Sequence, residues 1–271
     1  MTRLESASSI NLYKQCPRRY YYAYIEKLPG KESIHTVRGG IIHKAIEKFY
    51  NINIEMLNEE NYEILLKVIA MNIFNSLWRE NTGKINSLLD YNMIIAEHYY
   101  YESLKMVGNW FDVFIAKLKN EMQNKEVKDA FIALKPVTEY RIISEKFNVQ
   151  GFIDAVYENN EGAILLDYKT SRKQEISKEY KLQLAIYSLL YRESKNMLPK
   201  KAGIMFLADG SEKLLEVDDG LINLAENECI KIQEKTKSND KEDYVKKPGR
   251  LCKYSGGQCD YYGICRPFDN D

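Results

Sequence analysis

From position 137 onward the chain alternates apolar and polar residues in short runs, the period-2 pattern of strands. The pattern predicts one strand over 137–143, a second over 147–157 and a third over 163–169. The polar stretch 158–162 is short enough to join the last two as an antiparallel hairpin. The run Ala163-Ile-Leu-Leu166 is apolar enough to be central in a sheet. Residues two apart in a strand share a face, so Asp167 and Lys169 project side by side. Asp154, on the neighbouring strand, reaches the same spot. A lone Asp-x-Lys is ordinarily a surface salt bridge. A second aspartate and the burial of the run favour a site instead, because two carboxylates and an ammonium suit a divalent cation and phosphoryl chemistry.

Helical periodicity governs much of the rest. The segment 175–192 sets Tyr180, Gln183, Leu184, Tyr187, Leu190 and Tyr191 on one side, and a glutamine on so apolar a face needs hydrogen-bond partners. Segments 201–208 and 212–218 read as a strand pair around Asp209-Gly210-Ser211. A helix over 221–235 puts Leu221, Ala225, Cys229 and Ile232 together, which makes Cys229 a small core residue. Near the start, 8–16 reads as a Ser-capped helix, and Pro17 opens a second one. That second helix carries Arg18, Arg19, Tyr20, Tyr21, Tyr22 and Tyr24, which either bind nucleic acid or pack inward. Gly39-Gly40 reads as a flexible lead into a helix with His43, Ile46 and Tyr50 on one face. Residues 51–124 contain no proline and predict helices, with stripes Leu65, Val68, Ile69, Ile73 and Leu104, Val107, Phe111, Phe114, Leu118. Residues 235–250 read as a charged linker.

Charge and cysteine content narrow the chemistry. Lys+Arg and Asp+Glu stand at 39 each, so nucleic-acid binding must come from local patches. No apolar run is long enough for a membrane span and the N-terminus lacks a signal-peptide core, so a soluble, cytoplasmic protein is expected. Five cysteines is an odd number, and Cys252, Cys259 and Cys265 crowd together, which in a reducing compartment points to metal. Neither gap is Cys-x-x-Cys, so the common zinc-ribbon spacing is missing. The chain has no P-loop signature and is not itself a helicase motor.

Gly151-Phe-Ile-Asp154, followed after twelve residues by Asp167-Tyr-Lys169-Thr-Ser, resembles the core motif of the PD-(D/E)XK nuclease superfamily. Gln183-Leu-Ala-Ile-Tyr187 is similar to the Gln-x-x-x-Tyr motif of its RecB-like branch, which includes AddB-type recombination nucleases and CRISPR spacer-adaptation exonucleases. The resemblance covers most of the chain apart from the middle. It implies that Gly40-Ile-Ile-His43 is the N-terminal motif whose histidine binds the catalytic cation. Family members often carry an acidic residue on the first strand, where Glu139 stands, either in that role or as a solvated strand residue. Cys16-Pro-Arg-Arg-Tyr resembles the first cysteine motif of the iron–sulfur members. With Cys252, Cys259 and Cys265 it would complete a [4Fe–4S] set. The six-residue gap that includes Gly256-Gly257 is wider than the common family spacing and keeps zinc as an alternative.

The expected protein is an α/β, restriction-endonuclease-like mixed sheet flanked by helices. One nuclease domain would span 1–271, with a helical insertion at 52–130 and a C-terminal iron–sulfur cysteine tail at 251–267 pairing with Cys16. The expected activity is Mg²⁺- or Mn²⁺-dependent hydrolysis of DNA, as an exonuclease on ends or single strands in recombination, repair or CRISPR adaptation. His43, Asp154, Asp167 and the Tyr168 carbonyl would hold metal. Lys169 would orient the attacking water, and Gln183 and Tyr187 would position substrate or water. Arg18, Arg19 and Tyr20 are the first choice for DNA contacts, and a helicase or CRISPR adaptation proteins are the expected partners. The alternative is a non-catalytic DNA-binding module or a zinc-stabilised scaffold in a larger nucleoprotein assembly.

Overall fold

Five strands form one sheet in sequence order: β1 (Val137–Ser144), β2 (Val149–Asn159), β3 (Gly162–Lys169), β4 (Lys201–Phe206) and β5 (Ser211–Glu216). The computed structural model describes residues 3–172, 174–254 and 257–268. β1–β2, β2–β3 and β4–β5 are antiparallel, whereas β3–β4 is parallel, with Asp167 beside Ile204 and Lys169 beside Phe206. A parallel neighbour requires a crossover, and helix α7 (Lys178–Lys195) supplies it. Ser177 caps α7 by accepting from the Tyr180 amide, and left-handed Asn196 ends it.

The apolar run of β3 is central because both faces of the sheet are covered. Leu165 joins Ile153, Leu184 and Leu190 on the side of α7 and of α8 (Asp219–Lys235). Leu166 and Tyr168 join the opposite core, built from α3 (Ile34–Phe49), α4 (Tyr62–Leu88), α5 (Met93–Glu121) and α6 (Val127–Leu134). Phe49 ties these helices together, its ring 5.0 Å from Trp110, 5.1 Å from Phe114 and 5.8 Å from Phe131.

Two helical expectations need correction. Gly39 and Gly40 lie inside α3, which begins at its Ser33 cap, so they do not form a flexible lead. The buried stripe of α4 is Leu66, Ala70, Phe74, Leu77, Trp78 and Ile85, while Val68 is exposed. Apolar residues occupy nearly every position from 64 to 74, and periodicity alone cannot choose the inward face of such a helix. In α5, Val107, Phe111, Phe114 and Leu118 are buried as expected.

At the N-terminus, α1 (Ala7–Gln15) is capped by Ser6 and α2 (Pro17–Tyr20) begins on its proline, followed by a π-helical turn, Tyr21–Ile25. Tyr20, Tyr21 and Tyr22 pack with Tyr244 and Tyr261, which fastens the N-terminal segment to the C-terminal one. That segment carries a short hairpin, β6 (Lys253–Tyr254) and β7 (Gly257–Gln258), and a final turn, α9 (Tyr262–Cys265). Ser255 and Gly256 lie outside the described residues. No described helix is long and apolar enough to cross a membrane.

Candidate active site

Four elements deliver acidic or basic side chains to one end of the sheet. β2 brings Asp154, β3 brings Asp167 and Lys169, α3 brings His43 and β1 brings Glu139. Both oxygens of Asp154 are held: Oδ2 accepts from the Tyr168 amide at 2.7 Å, and Oδ1 lies 3.2 Å from His43 Nδ1. Ligand atoms of His43, Glu139 and Asp154 all lie within 4.8 Å of one another. Glu139 sits mid-strand with φ +51°, a left-handed conformation that costs a non-glycine residue about 1–3 kcal/mol. Its carboxylate nonetheless joins the group.

Asp167 lies behind this group, 2 % exposed. Gln183 Nε2 donates to its Oδ1 at 2.8 Å, and Lys169 Nζ stands 2.6 Å from its Oδ2 as an ion pair without hydrogen-bond geometry. The same Gln183 nitrogen donates to the Tyr187 hydroxyl at 2.7 Å, so α7 holds Asp167 through a two-residue relay. Gly151 makes this approach possible, since a Cβ there would meet Leu190 Cδ1 at 2.8 Å and Tyr187 Cε1 at 3.0 Å.

Electrostatics show what the assembly favours. Burial raises the Asp167 carboxyl to about 6, with the Asp154 charge adding to the rise and Lys169 opposing it. Burial and then Asp154 also raise Glu139. For His43, burial acts downward, but the Asp154 hydrogen bond and charge outweigh it and the pKa rises. Crowded carboxylates of this kind are stabilised by positive charge, and a divalent cation supplies it. Two carboxylates and one imidazole within 4.8 Å fit such an ion, with nitrogen more natural to Mn²⁺ than to Mg²⁺. An open cleft of about 590 Å³ adjoins the group, lined by Gly39, Gly40, His43, Glu139 and Asp154 among others. The glycines leave its wall bare, which explains why α3 tolerates two poor helix formers there.

The expected residues His43, Asp154, Asp167, Lys169, Gln183 and Tyr187 thus share one neighbourhood. Tyr168 contributes its amide to Asp154, and its buried ring meets His43 edge-on at 6.0 Å. The sequence alone leaves Glu139 open between a site residue and a solvated strand residue, and its place opposite Asp154, between the pairs Thr138–Ala155 and Tyr140–Ile153, is the signal that marks it.

The N-terminal DNA patch requires correction. Tyr20 is fully buried, and its hydroxyl donates to Glu5 at 2.5 Å, so its ring cannot stack on a base. Arg18 is buried as well, with Nε donating to the Tyr244 carbonyl at 2.6 Å and Nη2 3.3 Å from Glu242. Arg19 Nη2 lies 3.6 Å from Asp260. These residues knit the chain ends together. Beside them, Cys16, Cys252, Cys259 and Cys265 line one small cavity, whereas Cys229 is buried in α8 and its thiol is pushed up to about 12 by burial.

A sequence profile of the PD-(D/E)XK nuclease superfamily matches residues 5–266. The chain belongs to the PD-(D/E)XK nuclease superfamily. Nucleases of this superfamily use divalent metal ions, in keeping with the acidic group at the sheet end. Over 46 residues the chain is 48 % identical to one subunit of the ATP-dependent helicase/nuclease of Anoxybacillus flavithermus (strain DSM 21510 / WK1). That stretch covers 14 % of this chain and 4 % of the relative, so the chain spans a small fraction of that protein. Among solved structures, a protein of Eubacterium rectale assigned as an exonuclease is similar over 100 % of this chain and 89 % of its own, with TM-score 0.49 and 11 % identity. SSO0001 is similar over 86 % of this chain and 97 % of its own, with TM-score 0.32 and 17 % identity.

Proposed function

We propose that this nuclease is a Mg²⁺- or Mn²⁺-dependent deoxyribonuclease that hydrolyses phosphodiester bonds, acting as an exonuclease on DNA ends or single strands. The observation that carries the reading is the convergence of His43, Glu139 and Asp154 within 4.8 Å beside the Asp167–Lys169 pair. His43, Asp154, Asp167 and the Tyr168 carbonyl would hold the metal, with Glu139 added to that set. When bound, the cation supplies Lewis-acid stabilisation and a more acidic water. The Tyr168 amide fixes Asp154, and Gln183 with Tyr187 fixes Asp167. Lys169 orients the attacking water and offsets negative charge as it builds on the phosphate.

End-labelled single- and double-stranded DNA, with a closed circular control, tests this reading. EDTA should stop cleavage and Mn²⁺ or Mg²⁺ should restore it, while the circle should survive. Lys169→Ala should lose about 10²–10³-fold in rate with an unchanged circular-dichroism spectrum. Wild-type rates in that variant would remove Lys169 from the mechanism, and indifference to EDTA would remove the metal.

We read 52–130 as a helical insertion on a single nuclease domain, and 251–267 as a cysteine segment that pairs with Cys16. The shared cavity supports a [4Fe–4S] cluster on Cys16, Cys252, Cys259 and Cys265, with zinc as the competing metal. Burial raises the Cys259 and Cys265 thiols, so metal loading would be accompanied by proton release. The short stretch of identity with a helicase/nuclease supports a helicase partner. Recombination, repair or CRISPR adaptation, in a reducing cytoplasm, is the setting that these features suit.

A further inference from the structure

A second cleft, about 560 Å³, is lined by Arg38, Glu102, Lys169, Thr170, Arg172 and Tyr180 among others. One carboxylate bridges two arginines there. Arg38, on α3 five residues before His43, is 4 % exposed, and its Nη1 bonds Glu102 Oε2. Its Nε is buried and has no hydrogen-bond partner among the described residues. The Tyr99 ring, 5.3 Å from the guanidinium carbon, backs it. The other oxygen of Glu102 accepts a fork from Arg172, Nε at 2.9 Å and Nη2 at 2.7 Å. Arg172 follows Lys169 by three residues, and its side chain is 74 % exposed.

A pair built only to pin α5 to the core has no use for these last features. A buried guanidinium with a spare donor is costly unless a second acceptor arrives, and a largely exposed arginine can exchange its carboxylate for another anion at small desolvation cost. Arginine forks match carboxylate and phosphate alike. A backbone phosphate carries the same single negative charge as Glu102 on two non-bridging oxygens, held tetrahedrally rather than in a carboxylate plane, so one of them can accept from the spare Nε. Lys169 on the cleft wall places the spot next to the reacting groups.

We propose that Arg38 and Arg172 form a phosphate-binding subsite for the nucleic-acid strand flanking the scissile bond, occupied in the free protein by Glu102, which yields it when the strand enters. This rests on the nuclease reading, because the ligand is the backbone of that substrate. Glu102 then sets the threshold for entry, as a built-in competitor of the phosphate.

Binding of a fluorescein-labelled single-stranded DNA oligonucleotide, followed by anisotropy with EDTA present across a KCl series, tests it with the full chain. Glu102→Gln keeps the shape and removes the competing charge, so Kd should fall about fivefold, a gain of about 1 kcal/mol. Arg172→Ala should raise Kd and flatten the slope of log K against log salt by about 0.7, one phosphate contact on a single strand. Arg172→Lys should recover the salt slope and only part of the affinity. A Glu102→Gln variant that melts lower and binds no tighter would identify a structural strut and overturn the gate. An unchanged salt slope in Arg172→Ala would overturn the subsite, even if wild type binds and cleaves. Wild type that binds but never cleaves would overturn the catalytic reading alone, and the variant comparison would still decide the subsite.

Discussion

The surroundings of Asp167 disfavour its ionised form. Burial disfavours its charge, Asp154 repels it, and Lys169 offsets only part, so the carboxyl rises from 3.8 to about 6. The folded state therefore binds this proton more tightly than the unfolded chain does. The stability that the proton brings is complete below about pH 4 and is lost as pH climbs through about 6. Asp167→Asn keeps the shape without the charge. In EDTA it should melt at nearly the wild-type temperature near pH 4 and above it near pH 8, by at most roughly 3 kcal/mol for a shift of this size. Thermal melts of both proteins across that range check this, and parallel declines would remove Asp167 as the source. The pair Asp167–Lys169 and its neighbour Asp154 were legible because strand alternation dictates who shares a face. Glu139 was not, since its contribution depends on a left-handed backbone that no propensity announces. Tyr20 and Arg18 show the converse. Composition suggested a binding strip, but partners more than two hundred residues away, Tyr244 and Glu242, bury or pair them.

At the scale of elements, the site depends on how closely α7 approaches β2. Gly151 sets that distance, and Gln183 and Tyr187 ride on the helix it admits. Gly151→Ala would press a methyl into Tyr187 and Leu190, an overpacking that costs about 1–3 kcal/mol. Lifting α7 loosens the hydrogen bond to Asp167, so the nuclease rate should fall about tenfold or more. Chemical denaturation and cleavage assays on the same preparation separate the two effects. Full activity with reduced stability would show that Gln183 is not a positioning residue. The β2–β3 hairpin, the β4–β5 pair and the helical character of α7 are readable from period, whereas the place of the α3 glycines inside a helix is not. Glycine signals a boundary by its low propensity, and here a cleft beside His43 overrides it. The Arg38–Glu102–Arg172 cluster had no sequence signature at all, because it joins α3, α5 and the loop after β3 across spans of 64 and 70 residues.

Across the whole molecule, the two chain ends meet at the four-cysteine cavity, where Cys16 faces Cys252, Cys259 and Cys265. A metal centre shared by these thiolates would close a loop of nearly the entire chain. Closing loops of such length removes unfolded-state entropy worth roughly 4–5 kcal/mol in the disulfide case, an upper guide for a cluster. The tyrosine packing of Tyr20, Tyr21, Tyr22, Tyr244 and Tyr261 already holds the same ends, so part of that stabilisation is independent of metal. Phosphodiester hydrolysis needs no electron transfer, and the centre is expected to act on stability rather than on chemistry. Anaerobically purified protein should be brown, with broad absorption near about 400 nm if iron–sulfur is bound. Cys16→Ser should bleach it and lower Tm by roughly 5–10 °C, since about 1 kcal/mol moves a domain of this size by about 2–4 °C. Cys229→Ala, a change in the α8 core away from the cavity, should leave the colour intact. Colourless protein with stoichiometric zinc would replace the cluster but keep the staple. Colour and Tm that both survive the loss of Cys16 would show that the N-terminal segment is held by its tyrosines alone.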